Sequence, residues 1–255
     1  MIKIKCILFL IVCFFGFNYS INAQIVNIES KRFKTDTTGW EGSLNTRFNL
    51  EKNIQRIFSI GLGAHLQYKS KNTKNLYLFL TDFNFLRAKD EKFLNGGFAH
   101  LRYNYKVNKW LRMEAFFQTQ YNRIIKLKHR ELFGFGPRFK LSKFDDLRCY
   151  VGTLYMFEYE ELVDNITIEK NHRLSSYVSL SMFPRDNVSI STTTYFQPKI
   201  NDFSDFRIST DNKLGIGITS NFKLNILFHL GYDALPPVGI PKLTYAFQNG
   251  FEMEF

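Results

Sequence analysis

The sequence predicts an all-β chain: a twelve-stranded antiparallel transmembrane β-barrel of the outer-membrane type. Three observations carry the prediction. Apolar and polar residues alternate with a period of two through most of 40–255, which is the period of strands and not of helices. The chain has 28 Phe and 13 Tyr, yet its mean hydropathy is -0.21. Strands with one apolar and one polar face give that combination. The alternating segments number twelve, an even count that suits a barrel with both ends on one side.

The 255 residues begin with Lys3 and Lys5, then an apolar run over 7–17, then a short polar stretch ending Ile21-Asn22-Ala23. This is the pattern of a secretory signal peptide, 1–23, cut after Ala23. The run is too short to cross a bilayer as a helix. Residues 24–39 are polar and unpatterned, and read as a short periplasmic lead to a barrel over 40–255. Losing Lys3 and Lys5 lowers the formal charge from +11 to +9. A basic exported protein can meet anionic lipid or acidic solutes, or simply carry mixed charge on a solvated surface. Only Cys149 remains after cleavage, so the chain has no disulfide framework and no paired thiols for a metal or redox site.

In the first strand Trp40, Gly42, Leu44, Thr46, Phe48 and Leu50 share a phase, with Glu41, Ser43, Asn45, Arg47 and Asn49 between them. The second opposes Phe58, Ile60, Leu62, Ala64, Leu66 and Tyr68 to Ser59, Gly61, Gly63, His65, Gln67 and Lys69. The third, 76–86, is apolar in both phases until Asp82 and Asn84. The fourth opposes Ala99, Leu101, Tyr103 and Tyr105 to His100, Arg102, Asn104 and Lys106. The fifth sets Leu111, Met113, Ala115, Phe117 and Tyr121 against Arg112, Glu114, Gln118, Gln120 and Asn122. The sixth sets Phe133, Phe135 and Phe139 against Gly134, Gly136, Arg138 and Lys140. Five more follow near 147–160, 172–183, 187–198, 206–219 and 222–233. The last, 243–255, puts Leu243, Tyr245, Phe247, Phe251, Met253 and Phe255 on one face, and Thr244, Gln248, Glu252 and Glu254 on the other.

Connections after strands three, five, seven, nine and eleven read as long, and those after four, six, eight and ten as short. That alternation matches outer loops and periplasmic turns; the short link at Lys52-Asn53 is an exception. Trp40 and Trp110 fall at periplasmic strand ends, where an aromatic girdle belongs. Pro137 cannot donate to a ladder, so a β-bulge is expected there.

The stretch 96–141 is the most distinctive. It reads Gly-Gly-Phe-Ala-His-Leu-Arg-Tyr-Asn-Tyr-Lys, then Trp-Leu-Arg-Met-Glu-Ala-Phe-Phe-Gln, then Phe-Gly-Phe-Gly-Pro-Arg-Phe-Lys-Leu. It resembles the YdiY-like family of salt-induced outer-membrane proteins, whose domain has no assigned function. The resemblance implies an outer-membrane location, supplies no catalytic residues and names no cofactor. The last strand resembles the closing strand of bacterial outer-membrane barrels, whose terminal aromatic residue is read by the barrel-assembly machinery. By that resemblance Phe255 is an assembly signal. The implied partners are that machinery, the outer-membrane lipids and lipopolysaccharide.

The inward phase carries Arg47, Lys69, Arg102, Lys106, Arg112, Arg130, Arg138, Lys140, Arg173, Lys213 and Lys223. It also carries Glu41, Asp82, Glu114, Glu158, Asp211, Asp233, Glu252 and Glu254. Arg102, Arg112, Glu114 and Arg138 lie on neighbouring strands and are the lumen candidates. Such a lining can conduct small solutes with a lean towards anions. It can equally be an interior closed by ion pairs, because isolated buried charges are costly. The glycine pairs Gly61/Gly63, Gly134/Gly136 and Gly215/Gly217 open no helix, so they are not a nucleotide loop. They read as relief of curvature, or as room for large inward side chains such as Phe116, Tyr150, Tyr177 and Tyr195.

Two rival classes compete with a non-enzymatic envelope barrel or narrow channel. One is a lipid-modifying barrel enzyme using outward His172 with Ser176. The other is a soluble periplasmic β-barrel or sandwich. No clustered His or Cys points to a metal, and export with a strict period of two argues against nucleic acid.

Overall fold

The computed structural model describes residues 38–52, 56–88, 94–142, 144, 146–164 and 166–255. The expected signal peptide and residues 24–37 of the expected lead lie outside the described residues. Alternation becomes twelve strands: β1 Gly39–Lys52, β2 Arg56–Lys69, β3 Asn75–Ala88, β4 Leu94–Lys106, β5 Leu111–Asn122 and β6 Leu127–Lys140. They continue as β7 Leu147–Leu162, β8 Ile168–Arg185, β9 Val188–Pro198, β10 Phe206–Gly217, β11 Phe222–Asp233 and β12 Leu243–Glu254. Each strand pairs antiparallel with its neighbours in sequence, and β1 pairs with β12 to close the barrel. Closure satisfies the backbone groups that a lipid-exposed edge would leave unpaired.

The two phases separate as the period requires. Leu44, Leu62, Leu66, Phe79, Phe83, Leu101, Phe117, Phe133, Phe135, Val178, Phe251 and Met253 are exposed on the outer surface. In water such a band would be a severe liability; in a bilayer it is the solvated face. The third strand, ambiguous in sequence, resolves cleanly. Leu78 and Leu80 turn inward and are fully buried, while Tyr77, Phe79 and Phe83 turn out.

Gly39 and Glu254 lie at the same end of the barrel. At that end Trp40, Tyr68, Tyr77 and Tyr103 form a chain of ring contacts at 4.8, 6.2 and 5.0 Å, and Trp110 stacks on Phe139 at 5.9 Å. These rings form the expected girdle, at an interface where an amphipathic aromatic is favoured. The opposite end carries the longest connections, 199–205 and 234–242, and is the outer face.

Two expectations need correction. Connections do not alternate cleanly in length. The outer link after β5 spans only 123–126, whereas the periplasmic link after β6 spans 141–146. Strands continue past the apolar band, since backbone groups go on pairing wherever a neighbour runs alongside. Pro137 makes no bulge. It stays opposite Met113 on β5, and pairing with β7 pauses between Phe135–Tyr155 and Arg138–Gly152 without a change of register. The missing N–H removes a ladder bond but adds no residue. The register shifts fall instead at Gln120/Asn122, Leu127/His129 and Met182/Arg185.

Candidate functional site

The candidate site is the barrel interior, built in layers by inward residues of successive strands. In the periplasmic half, Glu114 on β5 sits between two guanidiniums. Arg102 on β4 donates to Oε2 at 3.3 Å, and Arg138 on β6 donates to Oε1 at 3.0 Å. Tyr177 on β8 adds its hydroxyl to Oε2 at 2.7 Å. That reach is allowed because the Tyr177 ring lies where a Cβ on Gly152 would be, 2.3 Å away. Arg138 packs over the Tyr150 ring at 3.8 Å, with Arg112 over the same ring at 5.3 Å. Three of the four lumen candidates, Arg102, Glu114 and Arg138, therefore share one network, and Arg112 stands beside it on Tyr150.

Above this lies an apolar layer of Phe116, Leu132, Leu154, Met156, Tyr177 and Tyr195. The Phe116 ring occupies the space left by Gly134, 2.3 Å from where its Cβ would stand.

Towards the outer mouth a second charged layer forms. Arg173 on β8 donates to Glu158 on β7 at 2.8 Å, and Arg207 on β10 reaches the other oxygen of Glu158. Arg130 on β6 holds Glu160 at 2.6 Å, and Arg207 also meets Glu160 at 3.1 Å and Asp233 at 2.9 Å. Asp205, from the 199–205 loop, reaches Arg173 at 3.1 Å. Each carboxylate accepts from guanidinium N–H groups, so the buried charges are paired, as burial demands. Arg207, Glu160 and Asp205 are absent from the inward charges predicted above. Arg207 and Glu160 were legible by phase, since they share one with Asp211 and with Glu158. Asp205 lies in a loop, where alternation gives no signal.

The wall made by β10, β11, β12 and β1 differs. Lys213 meets Glu252 at 2.8 Å, Lys223 meets Glu254 at 2.6 Å, His229 meets Asp211, and Arg47 meets Asp82 at 2.6 Å. The two lysines keep contact with solvent, Lys213 at 17% exposed and Lys223 at 33%, against 2% for Arg102 and 1% for Glu158, although Glu252 and Asp82 are buried. A cavity opens on this wall, lined by Asn45, Arg47, His65, Lys213, Asn225 and Glu252 among others.

The outer mouth is covered in part by the 234–242 loop, whose Val238 carbonyl accepts from Lys126 Nζ at 2.7 Å. Two other outer loops are tied by carboxylates. Backbone and hydroxyl donation from Thr167 holds the Asp164 carboxyl below its ordinary pKa. The hydroxyl and N–H of Ser204 do the same for Asp202.

The enzyme rival finds no joined pair. His172 Nδ1 meets the Tyr155 hydroxyl at 2.5 Å, while Ser176 Oγ lies 3.0 Å from Thr153 Oγ1. His65 and His100 are buried inside, and His229 faces Asp211. Phe255 exchanges both backbone hydrogen bonds with Gly42 at 2.9 Å, and its ring fills the space beside that glycine.

An outer-membrane channel from Pseudomonas putida F1 has a similar fold, at a TM-score of 0.54 and 9% identity; the match covers 91% of this chain and 100% of that one. The NanC porin matches at a TM-score of 0.49 and 8% identity, over 84% of this chain and 97% of its own. The translocator domain of the autotransporter NalP from Neisseria meningitidis matches at 0.49 and 9%, over 89% and 92%. No curated protein matches the sequence. The closed twelve-strand barrel with its apolar outer band places the protein in the outer membrane, among its lipids. The family described as "Protein of unknown function, DUF481" matches residues 35–255, and this barrel belongs to it.

Proposed function

We propose that the protein is a non-enzymatic outer-membrane barrel that passes small solutes by a narrow, off-centre route and leans towards anions. One observation carries the proposal. Midway along β10–β12 the inward Lys213, His229, Thr244 and Gln248 keep contact with solvent, at a depth where the facing side chains of β5–β9 are packed into an apolar layer. A route along this wall passes beside the apolar layer, none of whose side chains lies on β10–β12. The barrel fold is one that a channel uses. The anion lean follows from the inward cations of the periplasmic half. Arg102 and Arg138 share Glu114, and further inward cations, Lys106, Arg112 and Lys140, stand nearer the mouth.

Reconstitution into planar bilayers tests this. Small discrete conductance steps are expected, with a reversal potential under a KCl gradient on the chloride side, more strongly at low salt where screening is weaker. A bilayer that stays silent with correctly folded protein would overturn the channel reading. Turnover of phospholipid or lipopolysaccharide would overturn the non-enzymatic one.

A further inference from the structure

We infer that the periplasmic mouth holds an oxyanion-binding site made by Lys106 on β4, Arg112 on β5, and Lys140 and Arg138 on β6 around the ring of Tyr150. The inference deepens the channel reading and rests on it only for the route by which the anion arrives.

The register is the starting point. Lys106 is the direct cross-strand partner of Arg112, and Arg112 is the direct partner of Arg138. Three cations thus stand in a row on adjacent strands, all in the inward phase. Like charges directly opposite are destabilising in an antiparallel pair. Lys140 is the cross-strand partner of Tyr150 on β7, which sets a fourth cation beside the same ring. The ring in turn carries the guanidiniums of Arg138 at 3.8 Å and Arg112 at 5.3 Å. One aromatic ring holding two guanidiniums removes much of the freedom they would lose on binding.

Among the described residues, Glu114 is the one inward carboxylate on the periplasmic halves of β4–β7; it lies one step deeper and already accepts from Arg102, Arg138 and Tyr177. Asp146 and Asp186, in the turns at this end, are exposed. Glu254 and Glu41 face the mouth from the far side, where Lys223 and Gln67 engage them. Lys69 and Arg148, on the strand ends of β2 and β7, add to the same sign. Lys106, Arg112, Lys140 and Tyr150 are half-buried, so the group is sheltered yet open to the mouth. A planar fork between two ammonium groups suits a tetrahedral or planar oxyanion: a phosphate, sulfonate or carboxylate group on a small solute.

The test uses the mature barrel refolded in detergent, with inorganic pyrophosphate as the probe and calorimetry as the readout. The variant Lys106→Gln/Arg112→Gln/Lys140→Gln should bind at least about tenfold more weakly, since charge-assisted hydrogen bonds are lost. The variant Lys71→Gln/Lys74→Gln/Lys109→Gln removes as much charge from exposed turns at the same end and should bind like the wild type. Heat-modifiable mobility confirms that each variant is folded. Equal weakening in both variants, or a wild type that does not bind, overturns the site. A silent bilayer with binding lost only in the first variant sinks conduction and leaves the site standing. A conducting pore whose pyrophosphate affinity ignores the first substitutions sinks the site alone.

Discussion

At the scale of single residues, the two faces of one strand make opposite demands. Leu101 is exposed to lipid on β4, whereas Gln248 faces inward on β12 and is open to solvent. Leu101→Arg puts a guanidinium in hydrocarbon, at a cost of roughly 2–4 kcal/mol near the midplane. Gln248→Arg should cost well under half of that. Denaturant unfolding in lipid vesicles, followed by tryptophan emission, checks the difference; equal losses would mean the faces are misassigned. Glu158 gives the complementary case. It takes hydrogen bonds from Arg173 and Arg207 and lies 3.3 Å from Arg130. Glu158→Gln leaves three buried guanidiniums with one fewer counter-charge, and breaking a buried pair costs on the order of 3–5 kcal/mol. Lys213→Gln, in a partly exposed pair, should cost about 1 kcal/mol or less. The sequence already marked Glu158 as inward. It could not name the partners, because Arg207 sits on β10, three strands away, and alternation reports a face without reporting what lies across the barrel.

At the scale of elements, the seam between β1 and β12 is the weakest joint. Its ladder runs from Ser43–Glu254 to Arg47–Gly250, while β1 pairs with β2 from Gly39–Lys69 to Lys52–Arg56. The aromatic end of β12 compensates. Phe255 closes the ladder with Gly42, and a Cβ on Gly42 would stand 2.6 Å from its ring. Gly42→Val should therefore slow closure and reduce the heat-resistant folded band. In the Gly42→Val/Phe255→Ala double variant, the clash is gone and part of the band should return. Additive losses would show that the two residues do not meet at the seam. Replacing Phe255 by Asp should impair assembly in cells, in keeping with its proposed reading by the barrel-assembly machinery. Normal outer-membrane levels of that variant would argue otherwise. Strand positions were the most legible feature of the sequence, β11 at 222–233 included, because a period of two persists for ten residues or more. Strand ends and the effect of Pro137 were not legible. Both depend on whether a neighbouring backbone continues alongside, which one strand's own sequence does not encode.

At the scale of the whole molecule, the interior is neither an open lumen nor a uniform plug. The β4–β9 wall stacks a charged layer, an apolar layer and a second charged layer, and Met156 and Ser179 are buried there. The β10–β12 wall keeps Lys213, His229 and Thr244 in partial contact with solvent. This division follows from side-chain volume: large inward residues such as Phe116, Tyr177 and Tyr195 crowd one wall, and Gly134 and Gly152 leave the space that the Phe116 and Tyr177 rings fill. Cysteine accessibility separates the two walls directly. In a Cys149→Ser background, Lys213→Cys, His229→Cys and Thr244→Cys should react with a charged, water-soluble thiol reagent at least about tenfold faster than Met156→Cys and Ser179→Cys, because thiol reactivity requires access and a thiolate. Modification of the first three should also reduce conductance, since the added bulk occupies the narrow side. Equal rates on both walls would mean that water fills the interior and the layers are loose. No reaction at any of the five would mean that the barrel is sealed, and the protein would then act through its mouth and surface rather than through its interior.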